Sequence, residues 1–130
     1  MTALRLLVPL SFALLSACAQ QPTQPVALDA ESECPTRLQV GQTLTLTLPS
    51  NPSTGYRWRV EDPAANVLQS LGPEVYNAPE EEDVVGSAGV STWRYQANSV
   101  GTSQLVLVYQ QPWATDVAPV QIFECKVIVR

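Results

Sequence analysis

The chain contains no histidine and only one methionine. Without an imidazole, neither a Ser-His-Asp nor a Cys-His nucleophile can be assembled, so enzymes of that kind are excluded. A two-carboxylate hydrolase needs its acids across a cleft, and the densest acidic set here is the contiguous run Glu80-Glu81-Glu82-Asp83. The chain is not expected to be an enzyme. The lack of histidine and the wide spacing of the cysteines leave a zinc site without support, and no metal or cofactor is expected. Basic residues are also few: seven Lys and Arg against twelve Asp and Glu give a net charge of −5. No basic stripe is available to neutralise phosphates, which argues against a nucleic-acid partner. Charged residues make up 15% of the chain and hydrophobic ones 45%, a balance that disfavours disorder of the whole.

At 130 residues the chain is long enough for one small domain with appendages. Many Val, Thr and Leu residues, punctuated by eleven Pro and six Gly, point to an all-β domain. The N-terminus reads differently. Arg5 supplies a positive start, residues 6–15 form an apolar run too short to span a bilayer stably, and the run ends Leu15-Ser16-Ala17-Cys18. That ending resembles a bacterial lipoprotein signal. The resemblance implies removal of residues 1–17, acylation of Cys18 and a membrane held through that lipid anchor. Ala19, rather than Asp, implies the outer membrane, with the domain in the periplasm or at the surface. The plainer alternative is an ordinary secretory signal with Cys18 incidental. Residues 18–33 then read as the lipidated cysteine and a polar, proline-bearing tether, and residues 34–130 as the folded domain. Fully extended, such a tether reaches at most about 50 Å.

Setting Cys18 aside leaves Cys34 and Cys125. An even pair in an oxidising compartment suggests one disulfide joining the two ends of the domain, with two buried thiols as the alternative. The chain-entropy model assigns such a bond about 4–5 kcal/mol as an upper figure.

Thr43-Leu44-Thr45-Leu46-Thr47-Leu48 alternates cleanly and is the strongest strand signal. Further strands are expected at 37–40, 56–60, 67–71, 74–77, 90–97, 104–109 and 120–130. Glu61-Asp62-Pro63-Ala64 and Ser99-Val100-Gly101-Thr102 read as turns. Seven to eight strands at this spacing fit an immunoglobulin-like β-sandwich. Connections at 50–55, 78–89 and 110–118 lie roughly two strands apart, so they should gather at one end.

The first of these connections is Asn51-Pro52-Ser53-Thr54-Gly55-Tyr56. Proline fixes φ, Asn and Ser satisfy local backbone groups, and Gly accepts positive φ. The second contains Gly86-Ser87-Ala88-Gly89. The third follows Tyr109 and carries Gln111-Pro112-Trp113. Together, and in this order, they resemble the three binding loops of the chagasin-like inhibitors of papain-like cysteine peptidases. Ser53, Ala88 and Gln111 depart from that pattern, where Thr, Gly and Arg are common. The resemblance covers residues 36–130 and implies a reversible, tight-binding inhibitor whose loops enter the cleft of a papain-like peptidase as a monomeric wedge. By the same resemblance Thr54 offers its hydroxyl near the catalytic residues and Trp113 contacts the cleft wall. Tyr56, Trp58, Trp93 and Tyr95 read first as core residues. The acidic run at 80–83 reads first as a solvated loop. The rival is an envelope lipoprotein with another partner, for example a lysozyme inhibitor or an assembly factor, and the acidic balance would suit a basic lysozyme.

Overall fold

A computed structural model of the chain describes residues 24–79 and 88–130, with Ala3 and Pro9 besides. Among these residues no helix is long and apolar enough to cross a membrane. The signal segment, Cys18 and the first part of the tether lie outside the described residues, as does the acidic run at 80–83.

Among the described residues, nine strands form two sheets packed face to face, the immunoglobulin-like sandwich expected of the alternation. They are β1 (Val26–Leu28), β2 (Thr36–Leu38), β3 (Thr43–Ser50), β4 (Arg57–Pro63), β5 (Leu68–Ser70), β6 (Val75–Asn77), β7 (Gly89–Ala97), β8 (Gly101–Gln110) and β9 (Gln121–Val129). One sheet runs β1-β3-β7-β5, with β6 also paired to β7; the other runs β2-β9-β8-β4. The first sheet contributes Leu44, Leu46, Leu48, Trp93 and Tyr95 to the core. The second contributes Trp58, Leu105, Leu107, Phe123, Cys125 and Val127. Period-two alternation is what places these on one face each.

Two expected turns are strand instead. β4 continues to Pro63, because a bulge between Val60 and Asp62 lets Asp62 and Pro63 pair with Val106 and Leu105. β8 begins at Gly101, which pairs with Val129.

The larger correction concerns the tether, expected to run to residue 33. Val26, Ala27 and Leu28 form a parallel strand against Leu44, Thr45 and Leu46. Leu28 is buried in the core and Val26 packs against it. The amide of Gln42 donates to the Gln24 carbonyl at 2.9 Å. Glu31 reaches across to accept the Glu124 backbone N–H at 2.7 Å, occupying β9 at a point beyond its pairing with β2. The folded body therefore reaches back at least to Gln24, about ten residues earlier than Cys34. A three-residue strand is too short to show periodicity, and its partner lies far along the chain, so nothing local marks it.

The Cys34–Cys125 disulfide is formed, with Cα atoms 5.4 Å apart and a sequence separation of 91. It ties the segment just ahead of β2 to the middle of β9, the strand that β2 itself pairs with.

Two outcomes are expected. Leu28→Ala removes a buried anchor and should cost about 2–4 kcal/mol, read as a fall in the thermal midpoint of roughly 10 °C or more. Burial pushes the Tyr95 phenol up to about 12. Its neutral form is thus favoured by folding, and the associated stability is complete below the ordinary tyrosine value near 10 and lost as pH rises from there towards 12. Guanidinium midpoints of Tyr95→Phe should accordingly fall less between pH 9 and pH 11 than those of the parent.

Candidate functional site

The first and third singled-out loops and the root of the second are brought to one pole of the sandwich. β3 ends there, with Ser50 paired to Gly89 at the start of β7. β4 begins and β8 ends there, with Arg57 paired to Gln110.

Loop one leaves the buried Ser50 and makes a single 3-10 turn, Pro52–Thr54. Proline at its start supplies a fixed φ where no amide donor is needed. Gly55 closes the turn at φ 82°, and its N–H donates to the Pro52 carbonyl at 3.0 Å. The Thr54 hydroxyl donates to the Asn51 carbonyl at 2.7 Å, and the Ser53 hydroxyl to the Asn51 side chain. The side-chain hydroxyls are thus engaged within the loop. The Thr54 proton is committed to holding the turn, and its oxygen also accepts the Tyr56 backbone N–H at 3.5 Å.

Beneath the loop lies an aromatic floor. Tyr109 accepts the Asn51 backbone N–H at 3.0 Å through its phenol oxygen. Its ring lies 4.8 Å from Trp58 and 5.5 Å from Tyr56. Trp58 packs edge-on to Trp93 at 6.4 Å and donates its indole N–H to the Pro49 carbonyl at 2.9 Å. Tyr56 is half-buried, whereas Trp58, Trp93 and Tyr95 are core. Tyr109 is the residue that sequence reasoning passed over. The available signal was an aromatic with a hydroxyl at the last turn of an apolar strand, where burial leaves the polar tip needing a partner.

Loop three leaves Gln110 and returns at Gln121. Two internal turns fold it, from Ala114 N–H to the Gln111 carbonyl and from Val117 N–H to the Ala114 carbonyl, and Val120 N–H closes its base on the Tyr109 carbonyl at 3.0 Å. Trp113 stands 70% exposed at the tip. Its ring lies over Gly55 so closely that a Cβ on that glycine would come within 2.5 Å of the ring edge. Glycine is therefore required at 55 twice, for left-handed φ and for the ring above it.

Of loop two, Gly86 and Ser87 lie outside the described residues. Ala88 is exposed. Gly89 is buried where β6 meets β7, and a Cβ there would run into the Asn77 carbonyl and the Tyr76 ring. Its glycine is needed for packing at the root of the loop.

The pole thus presents 51–56 and 111–113 in contact, with the root of the second loop beside Ser50. None of the named loop residues carries a charge. Such a surface can recognise a partner by shape, backbone hydrogen bonds and one large aromatic. Gly55→Ala is expected to cost about 1–2 kcal/mol from φ strain alone. It should also displace the Trp113 ring, seen as a shift in indole emission that is absent when Trp113→Phe is present as well.

Comparison with known proteins gives the family and the fold. Residues 37–127 match the family described as chagasin family peptidase inhibitor I42. Amoebiasin-2 of Entamoeba histolytica is 26% identical over 106 residues, covering 81% of this chain and 85% of that protein. Chagasin of Trypanosoma cruzi is 29% identical over 76 residues, 57% of this chain and 69% of that one. The crystal structure of the Entamoeba histolytica cysteine protease inhibitor EhICP2 superposes with a TM-score of 0.65 at 23% identity, over 82% of this chain and 96% of that chain, which shows a shared fold. With the match spanning all but the first of the strands and both described loops, the chain belongs to the chagasin family of peptidase inhibitors.

Proposed function

We propose that the chain inhibits papain-like cysteine peptidases reversibly and tightly, by seating its three loops in the active-site cleft. The observation that carries this reading is the contact between loops one and three, in which Trp113 rests on Gly55 above a hydrogen-bonded turn. A wedge already held in shape loses little conformational freedom on binding, so more of the contact energy appears as affinity. The protein is an inhibitor and not an enzyme, and family membership supports that assignment. Inhibition needs no bond made or broken: the wedge occupies the groove and excludes substrate. Trp113 supplies the large aromatic contact that commonly dominates such interfaces. Residues 86–89 form the slim middle element that approaches the nucleophilic thiol.

The lipid anchor at Cys18 and an envelope location belong to the same proposal, on the strength of Leu15-Ser16-Ala17-Cys18. The fold supports its usefulness. β1 runs parallel to β3, with Val26 opposite Leu44, while β3 runs on to loop one. The chain consequently enters the domain at the pole opposite the loops, and an anchor there leaves the wedge pointing away from the membrane. Only residues 19–23 separate Cys18 from Gln24, which limits the domain to about 20 Å of reach.

The test is a titration of papain activity with oxidised protein lacking residues 1–18, with trypsin and a c-type lysozyme as controls. Loss of activity at one inhibitor per enzyme, confined to the cysteine peptidase, is the expected result. Trp113→Ala should weaken it about tenfold or more. A folded protein that leaves papain untouched, or that inhibits lysozyme instead, overturns the reading.

A further inference from the structure

Val108 is 2% exposed but does not belong to the sandwich core. Its neighbours Leu107 and Tyr109 face inward, so by strand alternation Val108 faces out. It is buried because the returning limb of loop three folds back over the outer face of the β4-β8-β9 sheet. On that face Arg59, Val108 and Ile122 form one cross-strand row. With Glu61 and Gln110 they line a groove of about 520 Å³, walled on its far side by Thr115, Asp116, Val117, Ala118 and Pro119.

The limb that makes this wall is unusually apolar for an exposed segment. Trp113, Val117, Val120 and Ile122 are 70%, 64%, 59% and 50% exposed. Val117 lines the groove together with Ile122, and it lines a second, smaller hollow with Val120, Gln111 and Tyr56. Val117, Val120 and Ile122 are therefore one strip down the flank of the sheet, meeting loops one and three at Tyr56 and Gln111. The core does not use them. Single exposed apolar residues are ordinary, but a continuous strip running out of a binding loop marks a contact surface. The strip is also held in place, through Val117 N–H on the Ala114 carbonyl and Val120 N–H on the Tyr109 carbonyl.

We propose that the peptidase-binding surface extends beyond the segments 51–56, 86–89 and 111–113, along this strip on the returning limb of loop three and the start of β9. Val117, Val120 and Ile122 would form a fourth contact, made with an apolar rim beside the cleft of the same papain-type peptidase. This rests on the inhibitor reading of the loops. Two observations favour that occupant. The strip is continuous with Tyr56 and Gln111 of the wedge, so an enzyme seated over those loops overhangs the flank below it. The groove's charged groups, Arg59, Glu61 and Asp116, are of mixed sign on a chain of net charge −5, which suits a protein rim and not an anionic lipid surface. The strip selects among peptidases by the shape and polarity of that rim, while the loops answer to the cleft they share.

The experiment uses the full chain carrying Val117→Ser and Ile122→Thr together, both at exposed positions and both compatible with the local backbone. Val100→Ser is the control, equally exposed at the opposite pole just before β8. Inhibition of papain and of a cathepsin L-type peptidase is measured alongside the denaturation midpoint and the sedimentation coefficient. The expected result is an inhibition constant raised about tenfold for at least one enzyme, through faster dissociation, at an unchanged midpoint, with the control indistinguishable from the parent. Amide exchange over residues 115–122 should slow in the complex. If the double variant inhibits both enzymes like the parent while Trp113→Ala does not, the strip lies outside the interface and the three-loop reading stands alone. A parent that self-associates through the strip, with inhibition unaffected by its loss, makes the surface a contact between copies and overturns the proposal. A parent that inhibits neither enzyme removes the underlying reading and this one with it.

Discussion

The phenol of Tyr109 is the point on which the binding pole depends. Loop one must carry the chain from one sheet to the other, since β3 and β4 belong to different sheets. Tyr109 sits in the second sheet, yet it takes the backbone N–H of Asn51, the first residue after the first sheet ends. Its carbonyl meanwhile takes the N–H of Val120, where loop three closes. One residue thereby fixes the roots of two loops, and Trp113 on Gly55 fixes their tips. A rigid ring with one polar end is well suited to this position, because only two χ angles are ordered and the buried ring face contributes most of the favourable free energy. The disulfide at Cys34 and Cys125 performs complementary work away from the loops, clamping the chain just ahead of β2 onto β9 within the second sheet.

Much of this is legible in the residues because the core strands are amphipathic at period two. Leu44, Leu46 and Leu48, or Trp93 and Tyr95, announce which face is inward before any partner is known. The loops are legible for a different reason. Proline, glycine and short hydroxyl side chains act over three or four residues, so a turn such as 52–54 is specified by its own chemistry.

What stays hidden depends on distant partners. β1 is held by β3 and by the core under Leu28, not by its own three residues. β4 outruns its expected end because pairing resumes after a bulge between Val60 and Asp62 and runs to Pro63. The role of Thr54 escapes the sequence for lack of a distance: a hydroxyl that looks available is already bonded to Asn51. Gly89 reads as part of a glycine-rich loop and is instead a close-packing position against Asn77 and Tyr76. The apolar run at 104–109 does mark a central strand, but Val108 owes its burial to loop three and not to packing against the first sheet.

The parallel pairing of β1 has a mechanical side. A load between a captured enzyme at the loops and whatever holds the chain upstream of Gln24 runs along the strand axis. Such a load pulls β1 past β3 in shear, so its hydrogen bonds to Leu44, Thr45 and Leu46 strain together and do not open one at a time. Should they yield, the slack released ends at Cys34, which the disulfide clamps to β9. About ten residues, on the order of 30 Å of chain, would extend while the remaining strands and the wedge stay folded. The first strand is thus an extensible joint in series with the domain, and the cysteine pair is its stop.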